Sequence, residues 1–342
     1  MKSFRFFLIF VFLFSSNLRA QEISNDFKPA WWCRGRHFQT IYGGLFRSNP
    51  KLPLRRERLE TPDGDFLNLD RLDGPQNSPV LIVLHGLGSS ANVPYIHSLL
   101  REAHEAGWRA IAINARGSNG ELNRLKQMNH GGKTEDLDFV LSHLIKTEHP
   151  EKIYLVGYSL GGNIILKWLG EKGSLIPKEV KKAAAVSVPY DLSRAAHNLD
   201  HGFNQKIYAR LLLKRLRKQA LEKEKQYPGI LDIEKVKHAH TFQVFDREVT
   251  ARLNGFKDEY DYWTKSSAVN YLDGIKIPVL LIHAANDPFL PKQDLPLEKI
   301  KQSGYLKLLL TSDGGHLGFV SGKIPFHQNR WLEHAIFKFF KN

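Results

Sequence analysis

One serine held between two glycines, at the seam between an apolar run and a helical pattern, constrains this chain more than any other feature. Residues 153–156 are apolar, the chain then reads Gly157-Tyr158-Ser159-Leu160-Gly161-Gly162, and residues 163–168 continue at helical spacing. Strand, sharp turn, helix is the context that a Gly-x-Ser-x-Gly nucleophile elbow requires. Such a turn forces the serine backbone into a strained conformation. Side chains at 157 and 161 would collide with the strand and the helix, so both positions call for glycine. The Ser159 hydroxyl is thereby lifted above the sheet, at the positive end of the helix that follows. The pentapeptide also arises by chance, and it is the flanking strand and helix that make it point to a nucleophile.

A strand that ends in an elbow belongs inside a sheet, and the rest of the chain supplies one. A continuous apolar run at 80–84, and largely apolar runs at 108–113, 153–156, 183–188, 279–282 and 306–310 that repeat the pattern, read as strands buried on both faces. Helical patterns at 95–105, 133–145 and 163–170 lie between them. This alternation predicts an α/β fold, a mostly parallel sheet with helices on both faces. Ahead of it, residues 56–60 and 66–72 flank Thr61-Pro62-Asp63-Gly64 and read as a hairpin closed by the Asp-Gly turn. Residues 21–55, with Trp31, Trp32, His37 and Phe46, read as an extended entry segment. The alternation breaks at 191–273, which is helical, charged and rich in aromatics. That stretch reads as an inserted helical cap over the carboxyl ends of the strands, where open sheets of this class place their sites. The core is then 21–190, with its N-terminal extension, together with 274–342. Cys33 is the only cysteine, which forbids an intramolecular disulfide and leaves stability to the core.

The first twenty residues follow a different logic. Lys2 and Arg5 precede an apolar stretch at 6–14, then a polar end closes with Ala20 before Gln21. This resembles a secretory signal peptide and predicts an exported, periplasmic or extracytoplasmic protein, with an uncleaved N-terminal anchor as the alternative. The apolar stretch is about half the length that a spanning helix needs.

A serine hydroxyl is a poor nucleophile until a base takes its proton. Elbow serines find their partners in the order serine, acid, histidine. The acid candidate is Asp287, directly after the apolar run 279–282 and followed by Pro288, which stops the strand and leaves the carboxylate in a loop. The base candidate is His316, preceded by Gly314 and Gly315 just after the run 306–310. Asp287 would hold the tautomer of His316 and stabilise its imidazolium. The nearest substitute acid, Asp313, lies too close to His316 in sequence to reach around its ring. His283 reads as a strand-end packing residue, and His197, His201, His238 and His240 lie in the cap. For the oxyanion hole the candidates are the backbone amides of Leu160, next to the nucleophile, and of Leu87 in His85-Gly86-Leu87-Gly88. His85 and Gly86 then support that loop, with His85 ordering it rather than moving protons, as Gly157 and Gly161 support the elbow. No zinc-type spacing such as His-Glu-x-x-His occurs, so neither metal nor cofactor is expected.

With these residues in view the chain resembles the YheT-like branch of the α/β-hydrolase superfamily. The likeness rests on Arg36-His37-Phe38-Gln39-Thr40, His85-Gly86-Leu87-Gly88, Asn114-Ala115-Arg116-Gly117 and Gly157-Tyr158-Ser159-Leu160-Gly161-Gly162-Asn163. It continues through Phe245-Asp246-Arg247-Glu248-Val249-Thr250-Ala251 and Asn286-Asp287-Pro288-Phe289 to Gly314-Gly315-His316. The resemblance implies an α/β-hydrolase fold, the triad Ser159, Asp287 and His316, and carboxylesterase activity, with eukaryotic relatives acting on lipid and acylglycerol esters. The chain departs from the family pattern at Asn129-His130-Gly131-Gly132, where members usually carry a Tyr-His or similar pair.

Serine at the elbow excludes the haloalkane and epoxide branches, which attack with aspartate. The expected function is a serine carboxylester hydrolase for short- to medium-chain acyl esters, with acylglycerols or phospholipids as candidate substrates, working through an acyl-serine. Transfer of the acyl group to another alcohol is an alternative with the same triad. A non-catalytic binding protein on the same fold is a third reading, opposed by the intact triad. The net charge of +14 comes without any nucleic-acid motif, and no nucleic-acid partner is expected. Arg210, Lys214, Arg217 and Lys218 recur at helical spacing opposite Ala209, Leu212, Leu213, Leu216 and Ala220. They form either an ordinary solvated face or a surface for peripheral contact with anionic membrane lipid. Nothing in the sequence specifies an oligomeric state.

Overall fold

The apolar runs become neighbours in one eight-stranded sheet. The structure is a computed structural model that describes residues 26–47, 49–327 and 329–342. The expected export segment, residues 1–20, lies outside the described residues. The strands are β1 (Leu54–Glu60), β2 (Phe66–Leu72), β3 (Val80–Leu84), β4 (Arg109–Asn114), β5 (Ile153–Tyr158), β6 (Val180–Val186), β7 (Val279–Ala284) and β8 (Leu306–Thr311). Their spatial order is β1-β2-β4-β3-β5-β6-β7-β8. The hairpin β1–β2 and the pair β2–β4 are antiparallel, and every later pairing is parallel.

Strand β5 is central, between β3 and β6, with Leu84 in register with Gly157 and Val186 with Tyr158. Its side chains alternate between two cores, as the pleat demands. Ile153 and Leu155 join one cluster with α3 (Glu135–Glu148) and α4 (Leu160–Lys172), through Val140, Leu144, Ile165 and Leu169. Tyr154, Val156 and Tyr158 join the other, with α2 (Pro94–Glu105) and the terminal helix Trp331–Lys341. Each fully buried Leu or Ile in these layers stabilises the fold by about 2 kcal/mol. Together they make the sheet a rigid platform whose carboxyl edge carries the loops after β3, β5, β7 and β8.

Between β6 and β7 the described chain forms helices and turns, among them α5 (Leu192–Leu199), the helices Arg210–Gln226 and Glu259–Ser266, and π-helical turns at Gln205–Ala209 and Asp246–Ala251. Leu213, Leu216, Phe242, Phe245 and Trp263 pack into a separate apolar cluster that also takes in Leu160, Phe289 and Leu290 from the sheet side. A buried ammonium ties this layer down. Lys223 donates from Nζ to the carbonyl oxygens of Asn123 at 2.6 Å and Leu125 at 2.8 Å, and Gln219 Nε2 donates to Gly117 O at 2.8 Å. Such a charge stays buried only with acceptors supplied at each donor.

The entry segment is not extended throughout. Residues Arg36–Leu45 form α1, which buries Gln39, Tyr42 and Gly43. Gly43 and Gly44 weaken the helical pattern in the sequence, since glycine is a poor helix former. Tertiary contact reverses that preference, because α1 passes so close to the loop after β8 that a Cβ on Gly43 would sit 2.5 Å from the Cα of Gly318.

Candidate active site

Ser159 sits where β5 breaks into α4, with φ 52° and ψ −119°, a left-handed conformation that a non-glycine residue adopts only under strain. Its N–H donates to Val186 O at 2.8 Å, and its carbonyl accepts from Gly162 at 2.9 Å. The strain persists because the flanks leave no other path. A Cβ at Gly161 would lie 2.5 Å from Leu84 O, and one at Gly157 would lie 2.5 Å from Gly162 N.

Three loop ends bring the remaining groups to this hydroxyl. Ser159 Oγ lies 3.1 Å from His316 Nε2, and His316 Nδ1 lies 2.9 Å from Asp287 Oδ2. A carboxylate can only accept, so Nδ1 carries the proton and donates to Asp287, leaving Nε2 to accept from the serine hydroxyl. Asp287 is fully buried in its side chain, and its other oxygen accepts from the amides of Phe289 at 2.8 Å and Leu290 at 3.2 Å. Those two bonds fix the carboxylate so that it faces the imidazole. The Phe289 ring packs against the His316 ring at 4.3 Å between centroids.

Asp313 has a different occupation. Its Oδ1 accepts from Asn286 Nδ2 at 2.6 Å and from the amide of Gly314 at 2.7 Å. It thus braces the loops after β7 and β8 against each other and makes no hydrogen bond to the His316 ring. Asn286 completes the brace, since its Oδ1 accepts from the amide of Gly315 at 3.0 Å.

Gly86, Leu87 and His85 lie beside the elbow, and together with Ser159, Leu160 and His316 they line one cavity of about 740 Å³. Leu160 opens α4, so its amide has no partner within the helix. The amide of Ala115 donates to His85 Nε2 at 3.1 Å, so the ring proton is on Nδ1, which donates to Gly86 O at 2.8 Å. Burial pushes the His85 imidazole down to about 4, and the neutral ring staples the loop after β3 to the loop after β4. His283 is likewise buried and donates from Nε2 to Leu290 O at 2.8 Å. Among the described residues no group of three or more His, Cys, Asp or Glu side chains is arranged to hold a metal ion.

The cavity wall is mostly apolar. Tyr208, Phe242, Phe245 and Tyr262 line it while also packing into the helical layer, whereas Phe203 lies half-exposed outside. Polar groups interrupt the wall at several points, Thr40, Asn129, Arg215 and Gln219 among them, and burial shifts Asp246 and His130. Asp246 accepts from Trp263 Nε1 at 2.8 Å and from the Thr250 hydroxyl at 2.7 Å, and burial raises its carboxyl to about 7. His130, in the stretch that departs from the family pattern, accepts from the Gly132 amide at 3.1 Å, and burial holds it neutral, at about 3.

Thr40 escapes sequence reasoning about the site, whereas Tyr208 belongs to the aromatic-rich stretch 191–273 and only its contacts there are new. The Thr40 hydroxyl oxygen accepts from the amide of His316 at 2.8 Å, and Tyr208 stacks edge-on against Phe289 at 4.6 Å while bonding His37 at 3.0 Å. The stretch from Arg36 to Thr40 carries a family likeness, but none of its residue types announces chemistry.

Comparison with known proteins agrees with this geometry at the level of family and fold. Residues 79–323 match the family described as alpha/beta hydrolase fold. YheT of Escherichia coli strain K12, whose name proposes an esterase, is 37% identical over 324 residues, covering 93% of this chain and 94% of that protein. Phospholipase ABHD3 of Homo sapiens is 28% identical over 327 residues, covering 93% and 79% respectively. The monoacylglycerol lipase of Saccharomyces cerevisiae is 30% identical over 304 residues, covering 87% and 65%. Among solved structures, Est1E from Butyrivibrio proteoclasticus superposes with a TM-score of 0.54 over 84% of this chain and 97% of that one, at 16% identity, a likeness of fold.

Proposed function

The chain belongs to the alpha/beta hydrolase family and to its YheT-like branch, and on that premise we propose a serine carboxylester hydrolase with Ser159, His316 and Asp287 as its triad. The observation that carries the reading is the hydrogen-bonded line from Ser159 Oγ through both nitrogens of His316 to Asp287. The substrate is a small-molecule acyl ester of short to medium chain length. An apolar cavity of about 740 Å³ supports an acyl group, and the names of two relatives, a phospholipase and a monoacylglycerol lipase, support a lipid ester.

The chemistry follows from the proton positions. Ser159 Oγ attacks the ester carbonyl carbon as His316 Nε2 takes the hydroxyl proton. Negative charge develops on the carbonyl oxygen, where the amides of Leu87 and Leu160 donate to it. Collapse of the tetrahedral adduct breaks the bond to the alcohol, which leaves with the proton from His316 Nε2. Water then adds to the acyl-serine, again giving its proton to His316, and the second collapse releases the acid and restores Ser159. Asp287 keeps the imidazole in one tautomer throughout and stabilises its cation.

Purified protein incubated with p-nitrophenyl esters of graded chain length, beside Ser159→Ala and a fluorophosphonate probe, tests the reading. Hydrolysis and labelling should both vanish in the variant. A folded wild-type protein that turns over no ester and takes no probe would remove the triad assignment.

A further inference from the structure

We infer that the mouth of the cavity is a docking surface for an anionic lipid bilayer, through which acyl chains pass to Ser159. The inference rests on the esterase reading for the fate of the acyl chain, not for the docking itself.

Two apolar stripes frame the mouth. On α1, Phe38, Ile41 and Leu45 fall on one face, opposite the buried Gln39, Tyr42 and Gly43, and Leu45 is 69% exposed. On the helical run that begins at Gly202 and continues to Gln226, Phe203, Ile207 and Leu211 recur every fourth residue, with Phe203 51% and Leu211 61% exposed. This stripe is distinct from the one formed by Ala209, Leu213, Leu216 and Ala220, which is buried in the helical layer as an ordinary cap helix requires. The two exposed stripes adjoin, because the His37 ring lies 4.3 Å from that of Phe203 and bonds Tyr208. Ile41, Leu45, Ile207 and Leu211 line the same cavity as Ser159 and His316, so the apolar rim and the nucleophile share one space.

Charge identifies the occupant. Lys206, Arg210 and Lys214 repeat at the same four-residue interval, one position before Ile207, Leu211 and Arg215, and all three are exposed. None of the three pairs with an acidic side chain among the described residues. An apolar stripe flanked by unpaired cations is the pattern of a helix that lies in a bilayer interface, where acyl tails take the apolar side chains and anionic headgroups the cations. A second copy would have to set an acidic, apolar face against these cations, and two copies of a chain of net charge +14 repel one another.

Cosedimentation of the full chain with vesicles tests the inference, using phosphatidylglycerol and phosphatidylcholine in equal parts against phosphatidylcholine alone. The wild type should bind the anionic vesicles and release with salt. Replacing the three cations (Lys206→Gln, Arg210→Gln, Lys214→Gln) should lower the partition coefficient on the order of a hundredfold, with hydrolysis of a soluble short-chain ester and the melting temperature unchanged. Phe38→Ser with Phe203→Ser, two rim residues outside the cavity lining, should also weaken binding. Wild type that ignores both vesicles overturns the inference, as does vesicle binding that survives both sets of substitutions. A wild-type dimer that these substitutions dissociate overturns it too, in favour of a second copy. Ser159→Ala should bind vesicles like wild type, so a failed esterase reading and a failed docking reading give different results.

Discussion

The amide of His316 donates to the hydroxyl oxygen of Thr40 at 2.8 Å, across 276 positions of sequence. The same hydroxyl donates to Arg36 O at 2.6 Å, so its direction is set by α1 itself. Beside it, Gln39 accepts from the amide of Val320 at 2.7 Å and donates from Nε2 to the Val320 carbonyl at 3.1 Å. The loop that carries His316 is therefore held from outside by α1, and this geometry predicts that Thr40 acts as a positioning residue.

Thr40→Val keeps the shape and removes the acceptor. It is expected to lower kcat on the order of 10- to 100-fold, with KM for a short-chain ester unchanged, since misplacement by a fraction of an ångström costs the transition state more than the bound substrate. Thr40→Ser should restore most of the rate. Steady-state kinetics of both variants decide this, and a Val variant with wild-type kcat would leave Thr40 a packing residue.

The two carboxylates near His316 should behave differently. Asp287→Asn is expected to reduce kcat on the order of 10³- to 10⁴-fold, because an amide at Oδ2 turns the imidazole into the wrong tautomer. Asp313→Asn should leave kcat within about threefold and lower stability by about 1 kcal/mol, as its partners are Asn286 and the amides of Gly314 and Gly35. Parallel rate and urea-unfolding measurements separate the two roles.

The strain at Ser159 makes a stability prediction. Glycine is normally less stabilising than alanine, by about 0.5–1 kcal/mol, through the entropy of the unfolded chain. At φ 52° that order should invert, with Ser159→Gly unfolding at higher urea than Ser159→Ala by about 1 kcal/mol, while both are inactive. Equal midpoints, or the normal order, would mean that the turn stores no strain.

Asp246 predicts a pH dependence. Its folded carboxyl is raised to about 7 by burial, above its unfolded value near 4, so the folded state prefers the protonated form. That contribution is fully present below about pH 4 and is lost as pH rises through about 7. Asp246→Asn retains an acceptor for Trp263 and should gain stability relative to wild type at pH 8, by about 1–4 kcal/mol, with the difference shrinking toward pH 5. Urea midpoints across that range check the sign, and a variant less stable than wild type at pH 8 would contradict it.

Much of the fold and of the site was legible from local pattern. Strands β3, β5 and β7 announce themselves because a strand covered on both faces needs an unbroken apolar run. Strands β4, β6 and β8 do so through apolar runs that Arg109, Lys182 and Lys307 adjoin or interrupt. The elbow does so because its glycines are set by steric distances of a few ångströms within one turn. Asp287 and His316 were legible from order and loop context, since each follows directly on such a strand. Helix α1 was not, because Gly43 and Gly44 oppose helix locally and the Gly318 backbone that rewards Gly43 lies far along the chain. Nor was the bracing role of Asp313, which depends on Asn286 arriving from a different loop.

Residues whose conformation is settled by their immediate neighbours therefore stand in the open text of the chain: the elbow, the buried strands, the hairpin turn. Thr40 behind His316, Tyr208 against Phe289, and the apolar rim shared by Leu45 and Leu211 became visible only once the chain was folded. Each is a contact between segments far apart in sequence, and such contacts exist only after the sheet and the helical layer have packed to bring those segments within a few ångströms.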